Sequence, residues 1–260
     1  MFYSSCSQLT NVVDDLGHSV GEDLADNRNR KWVLTHIKEG AVEKKKIWFD
    51  GEGISLDEVE KVFAKVTDQA RDKRVIFKAL YGFVVECSDA NDVVSAYAYA
   101  EKMLLCAEDA AEKAYCLLCM GQFKERAWDF KEAAKTYLSA MELPHERSDD
   151  WYFLNNNLGY CLNQLGIYGE AIPFCLEAIE INPKRYNAYK NLGVALQGLG
   201  EYSKAAHAYI VATQICPRDV RALHLLEDLV SREKERILDI GDLMAEMKKC
   251  RDLVERATMN

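Results

Sequence analysis

Through most of the chain, apolar residues recur at intervals of three and four, the spacing that lines one face of an α-helix. Leu158 and Leu162 make one such stripe, and Ala171, Cys175 and Ala178 the next. Leu223, Leu226 and Leu229 make a third; Leu243, Met247, Cys250 and Val254 make a fourth. Phe77 to Cys87 and Asp92 to Cys106 read as a helical pair, with Ala96, Ala100 and Met103 along its second helix. Residues 1–54 lack the pattern. The first 30 are expected to be mobile, and Trp32–Ile37 with Glu43–Phe49, around Lys38, Glu39 and Gly40, have the character of a β-hairpin. Ser55 with Glu58 three residues on is a capping box, which predicts a helix from Leu56 toward Thr67.

The helical stripes belong to a longer period. YFLNNNLGYCLNQLGIYGEAIPFCLEAIEINPKR, residues 152–185, aligns without a gap on YNAYKNLGVALQGLGEYSKAAHAYIVATQICPRD, residues 186–219, so the period is 34 residues. Leu158, Gly159, Leu162, Gly166, Tyr168 and Ala171 recur as Leu192, Gly193, Leu196, Gly200, Tyr202 and Ala205. Each block holds two helices. Gly159 and Ala171 are small where two backbones must approach, and Gly166 suits the end of a first helix because glycine takes the left-handed conformation cheaply. Pro183 and Pro217 stand beyond the second helix, and Pro173 is expected in its first turn, where the missing N–H costs nothing.

Residues 114–147 keep Gly121, Phe130, Ala133, Tyr137 and Ala140 at matching offsets, with Pro144 one place early and four extra residues, Ser148 to Trp151, before the next block. Residues 55–113 are helical and repeat-like, and 220–260 read as two helices whose polar outer faces suit a solubilising cap.

With its L-G, its G-x-Y, its two alanines and its terminal proline, this unit resembles the tetratricopeptide repeat. The usual tryptophan at the fourth place is Asn155 in one block and Tyr189 in the other, Trp151 offering aromatic packing instead. The resemblance implies an all-α fold, a right-handed α-solenoid of helical hairpins with C-terminal capping helices, acting as a non-catalytic protein-interaction scaffold. It also implies that the first helix of each unit lines a concave groove through its second, fifth, sixth and ninth places. In residues 152–185 these are Phe153, Asn156, Asn157 and Tyr160. The following unit supplies Asn187, Lys190, Asn191 and Val194, and Arg221 and His224 continue the row. Amides donate to and accept from a peptide backbone, while Lys190 and Arg221 can hold a carboxylate, so an acidic or C-terminal peptide is the expected partner. Asn157 and Asn191 have a second reading, that of orienting neighbouring helices. The dicarboxylate clamp of the chaperone-binding members would fall on Asn156, Tyr160, Asn191, Arg221 and Leu225, of which Asn191 and Arg221 fit. Binding of a chaperone tail is thus one alternative. Another is a homodimer through an apolar face of Ser95–Leu105.

Charge and composition narrow the classes further. With 33 basic and 42 acidic residues the net charge is −9, which lacks the footprint that nucleic acid requires, and Lys44, Lys45 and Lys46 read as a solvated face. No apolar stretch reaches the roughly 18 residues that span a bilayer, and the N-terminus has no secretory pattern, so no membrane insertion and a cytoplasmic location are expected. The nine cysteines are an odd number in apolar contexts, as in a reducing compartment, and Cys116 and Cys119 have no second ligand pair. Asp50–Glu58 echoes a calcium loop but is one residue short, with Trp48 at the first ligand place. The five histidines show no catalytic spacing. An enzymatic part confined to residues 1–110 would be short and poor in motifs. No catalytic residue, cofactor or metal site is expected.

Overall fold

The computed structural model describes residues 12–13, 19–22, 31–39, 42–49, 52–55, 70–238 and 240–259. They belong to two compact units, Met1–Phe123 and Lys124–Asn260.

The first unit opens with a five-stranded antiparallel meander in the order β1 (Val12–Val13), β2 (Ser19–Glu22), β3 (Lys31–Glu39), β4 (Val42–Phe49) and β5 (Glu52–Ser55). The expected hairpin is present as β3 and β4, with Val33 opposite Trp48 and Glu39 opposite Val42. Phe49 pairs with Glu52, and the residues between them are Asp50 and Gly51, a dipeptide that two-residue hairpin turns favour. Of the segment that echoed a calcium loop, Glu52–Ser55 form strand β5 and the rest lies outside the described residues. Two strands, β1 and β2, fall within the first 30 residues, where mobility was expected; at two and four residues they are too short to show an alternating pattern. The all-α description thus holds for the solenoid but not for this N-terminal sheet. The helix expected from Leu56 toward Thr67 lies outside the described residues.

Helices α1 (Ala70–Asp89) and α2 (Val93–Cys106) form the helical pair read upstream of the repeats. Phe77, Leu80, Phe83 and Met103 are buried at their interface, and α2 is capped by Asp92, which accepts from the Ser95 N–H at 3.1 Å. The helix α3 (Ala110–Arg126) runs from this unit into the next.

The second unit continues with α4 (Phe130–Met141), α5 (Asp149–Gln164), α6 (Tyr168–Ile181), α7 (Tyr186–Gly198), α8 (Tyr202–Ile215), α9 (Arg221–Glu233), a 3-10 turn at Lys234–Arg236, and α10 (Ile240–Thr258). Every helix from α4 to α9 packs on its successor, and α5 also meets α7, one repeat on. Leu158, Leu162, Ala171, Cys175 and Ala178 are all buried, as their stripes require. The close approaches are real: a Cβ on Gly159 would lie 2.7 Å from Cys175 Sγ, and one on Gly193 would lie 2.4 Å from the Tyr209 ring.

Each hairpin closes through one left-handed residue. Gly166 (φ 75°) donates to the Asn163 carbonyl at 3.1 Å while Ile167 donates to Leu162 at 2.9 Å, and Gly200 (φ 80°) with Glu201 repeats both bonds. Trp128 takes the same place at φ 62°, with Trp128 and Asp129 donating to Glu125 and Lys124, and Asn91 does so at φ 59°. The hairpin imposes this geometry whatever residue occupies it, at about 1–2 kcal/mol for tryptophan.

The four extra residues before Tyr152 become an added helical turn. Ser148 caps α5 by accepting from the Trp151 N–H at 3.3 Å, and Arg147 is tied to Glu177 and Glu180 of α6 at 2.9 Å each. Trp151 is buried and stacks on His145 with 3.2 Å between ring centroids. Pro173 stands at the sixth position of α6, not in the first turn, because the helix already starts at Tyr168. It therefore cannot make the helical bond to the Gly169 carbonyl. In the C-terminal pair, Leu223, Leu226, Leu229, Met247 and Cys250 close the core against Tyr209, and most of α10 is exposed.

Candidate functional site

The groove positions lie on α5, α7 and α9, the first helices of successive hairpins. The structure divides them into an amide chain and a cationic cluster, with Phe153 and His224 apart from both.

The amide chain is built by contacts between neighbouring repeats. Asn191, 5% exposed, donates to the Asn156 backbone carbonyl at 3.2 Å and to Asn156 Oδ1 at 3.1 Å. Asn163 donates across the same interface to the Asn191 carbonyl at 2.8 Å. Asn156 in turn donates to Asn157 Oδ1 at 2.9 Å, and Asn157 reaches the Tyr137 hydroxyl at 3.5 Å. Asn191 thus joins two helices, the orienting role that competed with ligand binding. Asn157 stays half-buried on the wall.

The cationic cluster centres on Lys190, 8% exposed. Its ammonium donates to Asn187 Oδ1 at 3.4 Å and sits 5.9 Å from the Tyr186 ring centre. Among the described residues no carboxylate lies within ion-pair distance of it. Burial, and then repulsion from Arg221, push its amine down to about 8, with Asp219 opposing. Arg221 is committed already: Nε contacts both Asp219 oxygens at 2.7 and 3.0 Å, and Nη2 donates to the Tyr186 hydroxyl at 3.3 Å. Burial alone would raise Asp219, but hydrogen bonds from Arg221 and Tyr186 hold it well below the usual carboxylate range. The pair of free cations expected at Lys190 and Arg221 is therefore one uncompensated lysine beside a neutralised arginine.

Phe153 lies under the Arg185 guanidinium, 4.7 Å from ring centre to Cζ, and Arg185 also pairs with Asp149 at 3.2 Å. Tyr160 meets Phe130 edge-to-face at 5.8 Å, and burial pushes its hydroxyl up to about 12. Val194 is half-buried against the C-terminal core, and His224 is exposed.

Four residues that the groove positions did not include shape the site: Asp219, Tyr186, Glu125 and Tyr137. Tyr137 donates to Glu125 Oε1 at 2.5 Å, and Tyr209 donates to Gln197 Oε1 at 2.7 Å, each pair 12 residues apart at the same place in its repeat. That recurrent spacing is a signal in the sequence itself. In the intervening repeat the pair is Asn163 and Cys175; the thiol makes no such bond, and Asn163 Oδ1 is left buried without a partner.

No group of His, Cys, Asp and Glu among the described residues could hold a metal ion. The eight described cysteines are free thiols, and burial pushes Cys116 and Cys175 up to about 12, so neither supplies a thiolate at neutral pH. No helix among the described residues is long and apolar enough to cross a membrane.

No curated protein matches the chain in sequence. Two family models do, both described as tetratricopeptide repeat, over residues 154–185 and 174–207. The second spans α6 to the start of α8, so it follows the same period half a hairpin out of step. Among solved structures, MamA 41-end from Desulfovibrio magneticus RS-1 is similar in fold, with a TM-score of 0.55, 18% identity, and coverage of 74% of this chain and 97% of that one. YrrB, described as a TPR protein with an unusual peptide-binding site, has a TM-score of 0.50 and 20% identity over 78% of this chain and 98% of its own. The ungapped 34-residue period, the hairpins it folds into and the two family models agree that residues 154–207 of this chain are built of tetratricopeptide repeats.

Proposed function

We propose that this chain is a non-catalytic scaffold that holds an extended acidic segment of a partner protein along the inner wall formed by α5, α7 and α9. The observation that carries this reading is Lys190: a desolvated ammonium held by Asn187 and the Tyr186 ring, with no carboxylate among the described residues within ion-pair distance. A buried charge without a counter-charge is costly, and a ligand carboxylate offsets that cost on binding. The half-buried Phe153 and Tyr160 supply apolar contact on either side. A displayed library of random peptides selected on the whole chain tests it. Peptides carrying Asp or Glu are enriched on the native protein, and that enrichment is lost with Lys190→Met, which keeps the stem and removes the charge. Equal enrichment of acidic peptides by both proteins would refute the reading.

A second reading, pairing of two chains through α2, is favoured by Val94 and Leu105. They are 81% and 74% exposed and three helical turns apart on one face. Sedimentation over a range of protein concentrations, compared with Val94→Lys/Leu105→Lys, decides it; a monomer at every concentration eliminates it.

A further inference from the structure

The amide chain on the inner wall has a direction. Asn163 donates to Asn191, Asn191 to Asn156, Asn156 to Asn157, Asn157 to Tyr137, and Tyr137 to Glu125. Two links fix the amide orientations without ambiguity, because Asn163 and Asn191 both donate to backbone carbonyls, which only accept. The continuous side-chain run starts at Asn191, whose amide donates to Asn156 Oδ1 and whose backbone carbonyl is held by Asn163, and it ends on a carboxylate, so every donor along it points toward Glu125. Bonds aligned in this way polarise one another, and the terminal charge holds the alignment.

Resting on the reading that this wall is the binding surface, we propose that Glu125 is its proton-sensing terminus: a proton taken from solvent reverses the hydrogen bonds at Tyr137 and Asn157 and changes the atoms that Asn156 and Asn157 offer a ligand. The ionised carboxylate only accepts, and the single Tyr137 proton is directed to it. The Tyr137 oxygen is then left to accept from Asn157. Once protonated, Glu125 donates its new proton to the Tyr137 oxygen. The Tyr137 hydroxyl then turns to donate to Asn157 Oδ1, which requires the Asn157 amide to rotate. Asn156 Nδ2 loses its acceptor and is released to the groove. One proton enters, and no covalent bond other than the new O–H changes.

The surroundings suit this role. Tyr137 from α4, Cys161 and Tyr160 from α5, and Arg126 on α3 itself face the carboxylate; Cys161 donates to Glu125 Oε1 at 3.6 Å. Burial pushes Glu125 up to about 7, outweighing the Tyr137 and Cys161 bonds and the Arg126 charge that pull it down. The later repeat supplies an internal control, since Tyr209 there donates to the amide oxygen of Gln197, which does not titrate.

The test is side-chain amide NMR of the whole chain across neutral pH, with no ligand. The Asn157 and Asn156 amide resonances are expected to move with one common midpoint, and both to stay flat in Glu125→Gln, the residue the sister repeat already carries. Tyr137→Phe, which removes only the hydroxyl, is expected to flatten Asn157 while Glu125 still titrates. Asn157 resonances that do not move in the native protein, or that move unchanged in Glu125→Gln, overturn the proposal. Failure here leaves the peptide selection untouched, and a failed selection leaves this titration to stand by itself.

Discussion

Adding one methyl group to Gly193 and one to Gly169 is expected to move stability in opposite directions. At Gly193 the new Cβ would lie 2.4, 2.6 and 3.0 Å from three carbons of the Tyr209 ring. The ring has nowhere to go: Tyr209 is fully buried and its hydroxyl is held by Gln197 at 2.7 Å. Forcing it aside costs about 1–3 kcal/mol of overpacking and about 1 kcal/mol for the strained hydrogen bond. The better helix propensity of alanine returns about 1 kcal/mol. The net expectation for Gly193→Ala is a loss of about 1–3 kcal/mol, or roughly 5 °C in melting temperature for a chain of this size. At Gly169, on the first turn of α6, the Cβ meets no atom within 4 Å. There the propensity term stands alone and Gly169→Ala is expected to gain up to about 1 kcal/mol, a rise of about 2–4 °C. Thermal melts followed by helical circular dichroism measure both. Gly193→Ala melting at or above the native protein would refute the argument that the repeat glycine is required by the approach of α7 to α8.

Glu125 makes stability depend on pH. Its carboxyl is raised from 4.5 in a solvated chain to about 7 in the fold, so its contribution is full at low pH and is lost as pH climbs through 7. The native protein is therefore expected to lose about 3 kcal/mol between about pH 5 and about pH 8 from this group, and Glu125→Gln to lose that dependence, as urea unfolding at the two pH values reports. Trp128→Gly relieves a left-handed tryptophan that is 75% exposed and gives up its edge contact with Phe130; a gain of about 1 kcal/mol is expected in the same assay, and a loss would show that the aromatic contact outweighs the backbone strain. Asn191→Ala removes the donor that serves both Asn156 oxygens and is expected to cost about 1–3 kcal/mol; no change would mean that the two repeats are joined by packing alone.

Much of the candidate site was legible by position and little of it by role. The 34-residue register placed Asn156, Asn157, Lys190 and Asn191 on first helices, where the structure has them. Register cannot show that Asn191 turns its amide into the interface with α5, that Asp219 neutralises Arg221, or that Arg185 covers Phe153. The first and last depend on contacts between residues about one repeat apart, such as Asn191 with Asn156, whose distances follow from how the hairpins pack; the Asp219–Arg221 pair is local, but the repeat register does not show that Arg221 turns back to it. The four residues before Tyr152 stood outside the period, since the added turn depends on Ser148 as a cap and on Trp151 finding His145.

By itself, the sequence determined the period, the two helices of each unit, the small residues at their crossings and the glycine joints, because each follows from local geometry repeated along the chain. It also carried the β3–β4 hairpin, though not the full meander, whose shortest strands leave no periodic trace. Tertiary structure alone decided which polar groups face each other. It left Lys190 without an ion-pair partner among the described residues, aligned the amides toward Glu125 and forced Trp128 into a glycine's conformation. Charge and hydrogen-bond state depend on the neighbours a group meets and the water it loses, and both are set when the repeats stack.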